Sequence, residues 1–264
     1  MEKSTKLHSL LLITVAIISS ANAALVIVPN DTGTELANSI LAPDISLVSG
    51  SVSYSGATSG SSGFFSGGVS AGISLESGLI LTTGVAAYAV GPNDSDNTTG
   101  PGTTTSLNFS FTTLGGDLYF NYVFASDEYF PSFVSTNFND TFRFTLDGVN
   151  IALLPGNTPV EINTINIGSN STLYNDNSLD QYNIEYNGFS DVLTTKVLGL
   201  SAGTHTISLT ISDGFDASID SAVFIQAGSI TKTPPGATVP DGGTTIALLG
   251  TALLGLVGIR RKLR

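Results

Sequence analysis

The sequence predicts an all-β protein, an antiparallel β-sandwich of jelly-roll-like character. Three observations carry that expectation. Leu107, Phe109 and Phe111, then Phe142, Phe144 and Leu146, then Ile207, Leu209 and Ile211 all alternate with polar residues. That period of two marks a strand with one face covered and one face wet. The apolar segments are short and are bounded by Gly, Asn and Asp turns, and only one stretch carries a good helix pattern.

That stretch is Asp31–Leu41. Thr32 with Glu35 three residues on fits a capping box, Leu36 and Ile40 share a face, and Pro43 stops the helix. Ser55–Gly72 is rich in Gly and Ser and reads as a loop, with Phe64-Phe65 as a hydrophobic peg. Gly78–Gly84 reads as a short apolar strand between glycines. Residues 91–106, GPNDSDNTTGPGTTTS, form another loop, which does not separate domains, because the strands before it make too small a core alone. Leu118, Phe120, Tyr122 and Phe124 then share one face of a strand.

Both ends of the 264-residue chain differ from this body. Residues 1–23 carry Lys3 and Lys6, an apolar run from Leu7 to Ile18, and a small-residue exit, Ser19-Ser20-Ala21-Asn22-Ala23. This is the pattern of a secretory signal peptide cleaved after Ala23, the run being too short to span a membrane comfortably. The β domain is assigned to 24–230, a Pro/Thr spacer to 231–238 and a distinct tail to 239–264. In the tail, Thr244–Ile259 is free of charge and about 24 Å long as a helix, and Arg260, Arg261, Lys262 and Arg264 follow it. The basic end predicts a transmembrane segment over 244–259 with the C-terminus in the cytoplasm and the body outside.

Charge sharpens the contrast. Between Ala24 and Val239 the cations are Arg143, Lys196 and Lys232 against 19 carboxylates, a net of −16. Such an excess of acid excludes a nucleic-acid partner, which needs cations to displace phosphate counterions. With no cysteine, an exported chain has no disulfides, so core burial, hydrogen bonds or bound ions must stabilise it.

The tail, Val239-Pro240-Asp241-Gly242-Gly243 followed by the apolar segment and the Arg-rich end, resembles the PEP-CTERM class of bacterial sorting signals, in its VPDSG-type variant. Gly242 stands where that variant has Ser. The resemblance implies an exosortase-type processing enzyme as partner, with transient anchoring in the inner membrane. In the body, YVFAS-(D/E)-EY at 122–129, ND-x-F at 139–142, NIALLPG at 150–156 and DSAVF at 220–224 resemble the choice-of-anchor L family of bacterial surface domains. Asp127 stands where Glu is commoner there, and Glu185-Tyr186-Asn187-Gly188-Phe189 replaces a usual Asp-Gly pair. That resemblance implies a surface module and supplies no reaction; the role expected of the chain is non-catalytic, in adhesion, assembly or biofilm structure at the cell surface or in the extracellular matrix.

The residues themselves offer two candidate sites. Asp127-Glu128 closes one apolar strand, while Asp140 and Asp220 open two others. Brought together, they would repel one another unless a cation such as Ca²⁺ were bound, since it takes 6–8 oxygen ligands. Glu128, Asp140 and Asp220 are the first-choice ligands and Asp127 the second, with Asn139 able to add an amide oxygen. Acidic residues capping turns in water is the alternative. Tyr129, Phe130 and Phe133 around Pro131 form an aromatic loop that could stack on extracellular polysaccharide, mediate self-association, or simply pin itself.

Other features carry less. Asn93-Asp94-Ser95-Asp96-Asn97 lacks the Gly and Glu of an EF-hand and reads as a solvated turn. Asp213–Asp216 reads mainly as a turn, with Asp216 a possible neighbour of the first cluster. His205 shares the parity of Ile207, which predicts a structural role, and Arg143 on a polar face predicts a carboxylate partner. A glycan-binding module is the rival reading. A glycoside hydrolase is the remoter one, since adjacent Asp127 and Glu128 point to opposite faces of a strand.

Overall fold

The computed structural model describes residues 24–95, 103–215 and 217–234. The first part of the chain forms β1 (Val26–Pro29), helix α1 (Gly33–Ile40), β2 (Ser46–Leu47), β3 (Ser53–Ser55), β4 (Ser62–Ser66), a helical turn α2 (Gly68–Ala71) and β5 (Ser77–Thr82). The long strands β6 (Thr104–Thr113), β7 (Gly116–Ser126) and β8 (Thr141–Leu146) follow. Five short strands come next: β9 (Val149–Asn150), β10 (Leu153–Leu154), β11 (Thr158–Glu161), β12 (Tyr174–Asp176) and β13 (Gly188–Ser190). The last are β14 (Leu193–Leu200), β15 (Gly203–Ser212) and β16 (Ser221–Gln226).

These strands make two antiparallel sheets. The first runs β1-β4-β5-β16-β7-β13-β12, with β14 also pairing with β7. The second runs β10-β11-β8-β15-β6-β2, with β3 beside β6 and β9 beside β8. Strand β5, which precedes the 91–106 loop, lies against β16 from the far end of the domain. Residues on either side of that loop therefore share one sheet.

The alternating strands face each other as their period requires. Leu107, Phe109 and Phe111 from β6, Phe142 and Phe144 from β8, and Ile207, Leu209 and Ile211 from β15 meet Leu118, Phe120, Tyr122 and Phe124 from β7. Rings interlock across the gap, Phe120 with Phe144 at 4.3 Å and Tyr122 with Phe142 at 5.0 Å between centroids. Helix α1 adds Leu36, Ala37 and Ile40 to the same core. Its start differs from the expected capping box: Thr32 is the N-cap residue but its side chain makes no cap bond. Asn30 takes the role instead, accepting from Thr32 N–H at 2.7 Å and donating to Glu35 Oε2 at 2.6 Å.

The second sheet is wet on its outer side, but the middle strands of the first, β5, β7 and β16, are buried on both. Ile80, Val123, Ala125, Ala222 and Phe224 point away from the inter-sheet core into a second cluster, with Phe65, Ile73, Leu75, Ala86, Ile184, Tyr186 and Phe189. This accounts for the near-continuous apolar runs of β5, β7 and β16, a pattern that belongs to strands covered on both faces. It also corrects the reading of Ser55–Gly72 as a loop. Ser62–Ser66 is strand β4, paired with β5 and β1. Phe65 packs edge-on against Phe224 at 5.3 Å, and Phe64 turns to the inter-sheet side.

At one end of the second sheet His205 is buried, with Nδ1 2.7 Å from Asp147 Oδ2 and Nε2 2.9 Å from the Ser201 carbonyl oxygen. It fills the structural place its parity predicts, against Phe111. The expected partner for Arg143 is not found: among the described residues no carboxylate lies within ion-pair distance of it, the pairs being Lys196–Asp117 and His205–Asp147.

Two expectations follow. Phe224→Ala should cost about 3–5 kcal/mol in chemical denaturation, as much as an inter-sheet truncation such as Phe144→Ala; a loss within about 0.5 kcal/mol would make the outer cluster a surface. The second concerns pH. The hydrogen bond to Asp147 raises the His205 pKa against the opposing effect of burial, aided by the Ser201 carbonyl. Burial pushes the Asp147 carboxyl up, but the His205 and Thr206 hydrogen bonds outweigh it and lower its pKa. A raised histidine stabilises fully below its unfolded value of about 6.5, and that stability is lost as pH rises through the folded value. A lowered aspartate stabilises fully above about 3.9, and the gain is lost as pH falls through the folded value. The melting-temperature gap between the native chain and Asp147→Asn should thus be widest near pH 5 and narrow toward pH 9.

Candidate functional site: a buried acidic end of the sandwich

Two of the strand ends that carry carboxylates, those of β7 and β16, lie side by side, and the third, at the start of β8, belongs to the other sheet. Ser126 of β7 pairs with Ser221 of β16, and Asp127 N–H extends that ladder to the Asp220 carbonyl at 3.0 Å. Asp140 immediately precedes β8, whose first residue Thr141 pairs with Ser212 at the end of β15. The four acids are not solvated caps: Asp127 and Asp140 are 0% exposed, Glu128 1% and Asp220 7%. Four carboxylates closed to solvent are what give this region chemical interest, since a buried charge is costly unless it is hydrogen-bonded or paired.

They do not form one group, however. Strand parity divides them. Asp127 follows Val123 and Ala125 to the outer side, where its Oδ1 accepts from Asn187 N–H at 3.0 Å and its carbonyl from Asn187 Nδ2 at 2.7 Å. The buried Tyr186 hydroxyl lies there too. Its pKa is pushed well above the ordinary tyrosine value first by burial, and further by the charges of Asp127, Asp220 and Glu185, with Thr82 opposing. Asp220 thus goes with Asp127.

Glu185 completes this outer group, a residue the sequence reading did not select. Its Oε1 accepts from both the Ser95 N–H, at 3.0 Å, and the Ser95 hydroxyl, at 2.7 Å. Burial still raises its pKa, helped by the charge of Asp94 and opposed by the Ser95 bonds. Asn93 donates through Nδ2 to the Asn177 carbonyl and to Asn187 Oδ1. The expected solvated turn at 93–97 is corrected accordingly: Asn93–Ser95 is a strap tied over the outer carboxylates, and Asp96 and Asn97 lie outside the described residues.

On the inner side, between the sheets, Asp140 Oδ1 accepts from Gly214 N–H at 2.8 Å. Gly214 is required there, since a Cβ would stand 2.5 Å from the Asn139 carbonyl oxygen. Glu128 N–H donates to Ser126 Oγ at 2.9 Å, fixing the turn that carries its carboxylate. Ser221 is wholly buried on this face, opposite Ser126, and its Oγ has no hydrogen-bond partner. The Tyr129 hydroxyl is likewise buried without a partner. Its pKa is held well above the ordinary value by burial, then by Tyr174 and the charge of Asp140, which places it near that carboxylate. Asp216, the remaining acid expected nearby, lies outside the described residues. Among the described residues no three His, Cys, Asp or Glu side chains are grouped to hold a metal by themselves.

The aromatic loop needs a second correction. Tyr129 is 4% exposed and packs on Tyr174, ring centroids 4.9 Å apart, so it cannot stack on an external sugar. Gly188 makes room for this pair, because a Cβ would stand 2.7 Å from the Tyr174 hydroxyl and 2.9 Å from the Tyr129 ring. Phe130 and Phe133 are half-buried and begin a ladder that runs on to Phe138 and Phe215, successive centroids being 5.7, 5.2 and 5.3 Å apart. The loop is pinned by its own hydrophobes, and Phe215, 65% exposed, is the ring offered to solvent. The cleft beside Tyr129 and Phe130 has a volume of about 70 Å³, well below the several hundred Å³ of an ordinary ligand pocket.

The domain's exit lies away from all this. Thr231 bridges to Tyr119, near the start of β7, whereas the acids sit beyond its last residue, Ser126. Seven residues of strand separate the two, about 23 Å. The tail itself and residues 1–23 lie outside the described residues, among which no helix is long and apolar enough to cross a membrane.

Comparison with known proteins agrees with both resemblances. The Choice-of-anchor L domain model matches residues 27–231, and the VPDSG-CTERM motif model matches 238–263. No curated protein and no solved structure matches the chain. A sorting motif of this kind implies export to the surface and processing by an exosortase-type enzyme. With the domain match covering most of its length, the chain belongs to the choice-of-anchor L family, as an exported surface protein ending in a VPDSG-CTERM motif.

Proposed function

We propose that the protein is a non-catalytic module of the cell surface or extracellular matrix, serving adhesion, assembly or biofilm structure and stabilised by calcium. The observation that carries the reading is the order of parts on one chain: a family domain at 27–231 followed directly by a sorting motif at 238–263. During export the apolar segment 244–259 sits in the inner membrane with its basic end in the cytoplasm, until an exosortase-type enzyme acts near Val239–Gly243. Because the domain is joined to this tail at the Tyr119 end of β7, its acidic end and aromatic ladder point away from the point of attachment. A contact surface for a neighbouring subunit belongs there.

Burial favours a structural role over catalysis for the carboxylates. A glycosidase needs two of them flanking a substrate bond, and the four candidates are closed to solvent. The rival reading, a module for exopolysaccharide, is favoured by one observation, the exposed Phe215 at the end of the aromatic ladder.

Fractionation of host cells producing the full-length chain tests the sorting step. The native chain should reach the surface shortened at its C-terminus, and the double variant Pro240→Ala, Asp241→Ala should stay in the membrane fraction at full length. Equal processing of both would contradict the proposed role of the motif. Sedimentation and glycan binding then separate the two roles. The assembly reading expects concentration-dependent self-association, weakened by Phe215→Ala, and saturable sugar binding lost in the same variant would favour the rival.

A further inference from the structure

We propose that the free edge of β14 docks the chain's own sorting segment. Residues 236–241 lie along it as an added strand with Asp241 at Lys196, and the folded domain covers the motif until it is released.

The first observation is the edge itself. Tyr119 of β7 exchanges both backbone hydrogen bonds with Thr231, at 2.8 and 3.3 Å, and its neighbour on the other side is Lys196 of β14. In an antiparallel ladder a residue's N–H and C=O point to the same side, so Tyr119 and Lys196 turn theirs away from each other. The N–H and C=O of Lys196, and of Thr194 two residues earlier, therefore face the free side of β14. There Thr194 and Lys196 line a groove of about 540 Å³ shared with the 149–157 segment, which carries most of the NIALLPG motif. Thr195 Oγ1 ties the two walls together by donating to the Ile151 carbonyl at 3.1 Å. The groove has the volume of an ordinary ligand pocket. The opposite edge of the sheet, β1, is unlike it. Asn30 N–H bonds back to Ser62, which turns Ile27 and Pro29 outward, and Pro29 has no N–H to offer. β14 is the edge that can take an extended chain.

The occupant follows from where the chain leaves the domain. The described residues end at Pro234, three residues after Thr231. Thr231 lies two strand spacings from Lys196, about 10 Å. The eight residues from Thr231 to Val239 span up to about 27 Å, so the segment reaches the groove. Pro240 holds Val239 extended, and an outermost strand tolerates a proline's missing N–H. Charge agrees. Asp241 is the one acidic side chain in 235–264. Lys196 lines the groove, and its bond to Asp117 is long, 3.9 Å, with both side chains well exposed. An ammonium so placed has N–H donors left for a second carboxylate.

The consequence rests on the reading of 239–243 as the processed motif: residues held on a sheet edge cannot enter an enzyme's active site, so processing waits for their release. Carbodiimide, which joins a lysine to a carboxylate in contact with it, tests the docking. The sample is full-length chain in detergent, an equal mixture of isotope-labelled and unlabelled protein. Mass spectrometry should find Lys196 joined to Asp117, which reports the fold, and to Asp241 of the same chain. Asp241→Asn should lose the second link alone. Amide exchange at Thr194 and Lys196 should be slow in the native chain and about tenfold faster in Asp241→Asn. It should slow again in the double exchange Lys196→Glu, Asp241→Lys. In host cells Lys196→Gln, with the motif intact, should be shortened faster than the native chain.

A Lys196–Asp117 link without a Lys196–Asp241 link would overturn the docking. So would links between labelled and unlabelled chains, which would put a second copy on the edge, and so would exchange unchanged by Asp241→Asn. Equal processing rates for Lys196→Gln and the native chain would overturn the covering of the motif. An intramolecular link in a chain that is never processed would keep the docking and remove the sorting reading. Normal processing without the link would do the reverse.

Discussion

The central strands of the first sheet, β5, β7 and β16, are covered on both faces, and the rest of the molecule follows from that constraint. A strand buried on both sides has no wet face on which to place a charge. β5, β7 and β16 therefore carry apolar and small residues along almost their whole length. Polar chemistry is displaced to their ends. β7 runs from Asp117, paired with the exposed Lys196, to Ser126-Asp127-Glu128, where the backbone leaves the sheet but side chains remain sealed.

The same constraint gives the domain its polarity. One end of β7 lies next to Thr231 and the route to the sorting tail. The other holds two carboxylate groups separated by the thickness of the sheet itself. On the outer side the Asn93–Ser95 strap and Asn187 satisfy the acids with N–H and O–H donors. On the inner side the donors include a backbone N–H from Gly214, and the hydroxyls of Ser221 and Tyr129 make no hydrogen bond. The difference follows from sequence position: the outer face receives an Asn- and Ser-rich segment, and the inner face receives aromatic rings.

Where one face is wet, the sequence announced the fold. The alternation in β6, β8 and β15 identified their inward residues one by one, including His205. Where both faces are dry, it announced only a strand. Val123 and Phe224 face a layer built from α2, Ala86–Ala89 and Ile184–Tyr186, irregular segments with no period to read. Ser62–Ser66 was missed for a related reason, since five residues among Gly and Ser show no pattern until β5 pairs with them. The site was legible to a similar depth. Carboxylates directly after apolar runs pointed to buried strand ends. Their division into two groups depended on register between segments about 60–95 residues apart, as with Asp127 and Asn187 or Asp127 and Asp220. Ser221 could have been found as the polar residue heading an apolar strand beside an acid. Glu185 had no comparable signal.

Native-state hydrogen exchange measured residue by residue is the most direct test of the doubly covered sheet. If β7 is the axis of a single unit, amides from Phe120 to Ser126, with those of β5 and β16, should exchange only through global unfolding. The amides of β1 and of the free side of β14 should open at lower free energy. Exchange of β5 and β16 by a separate, cheaper opening, with the second sheet still protected, would show that the outer cluster is a detachable cover and would contradict the account.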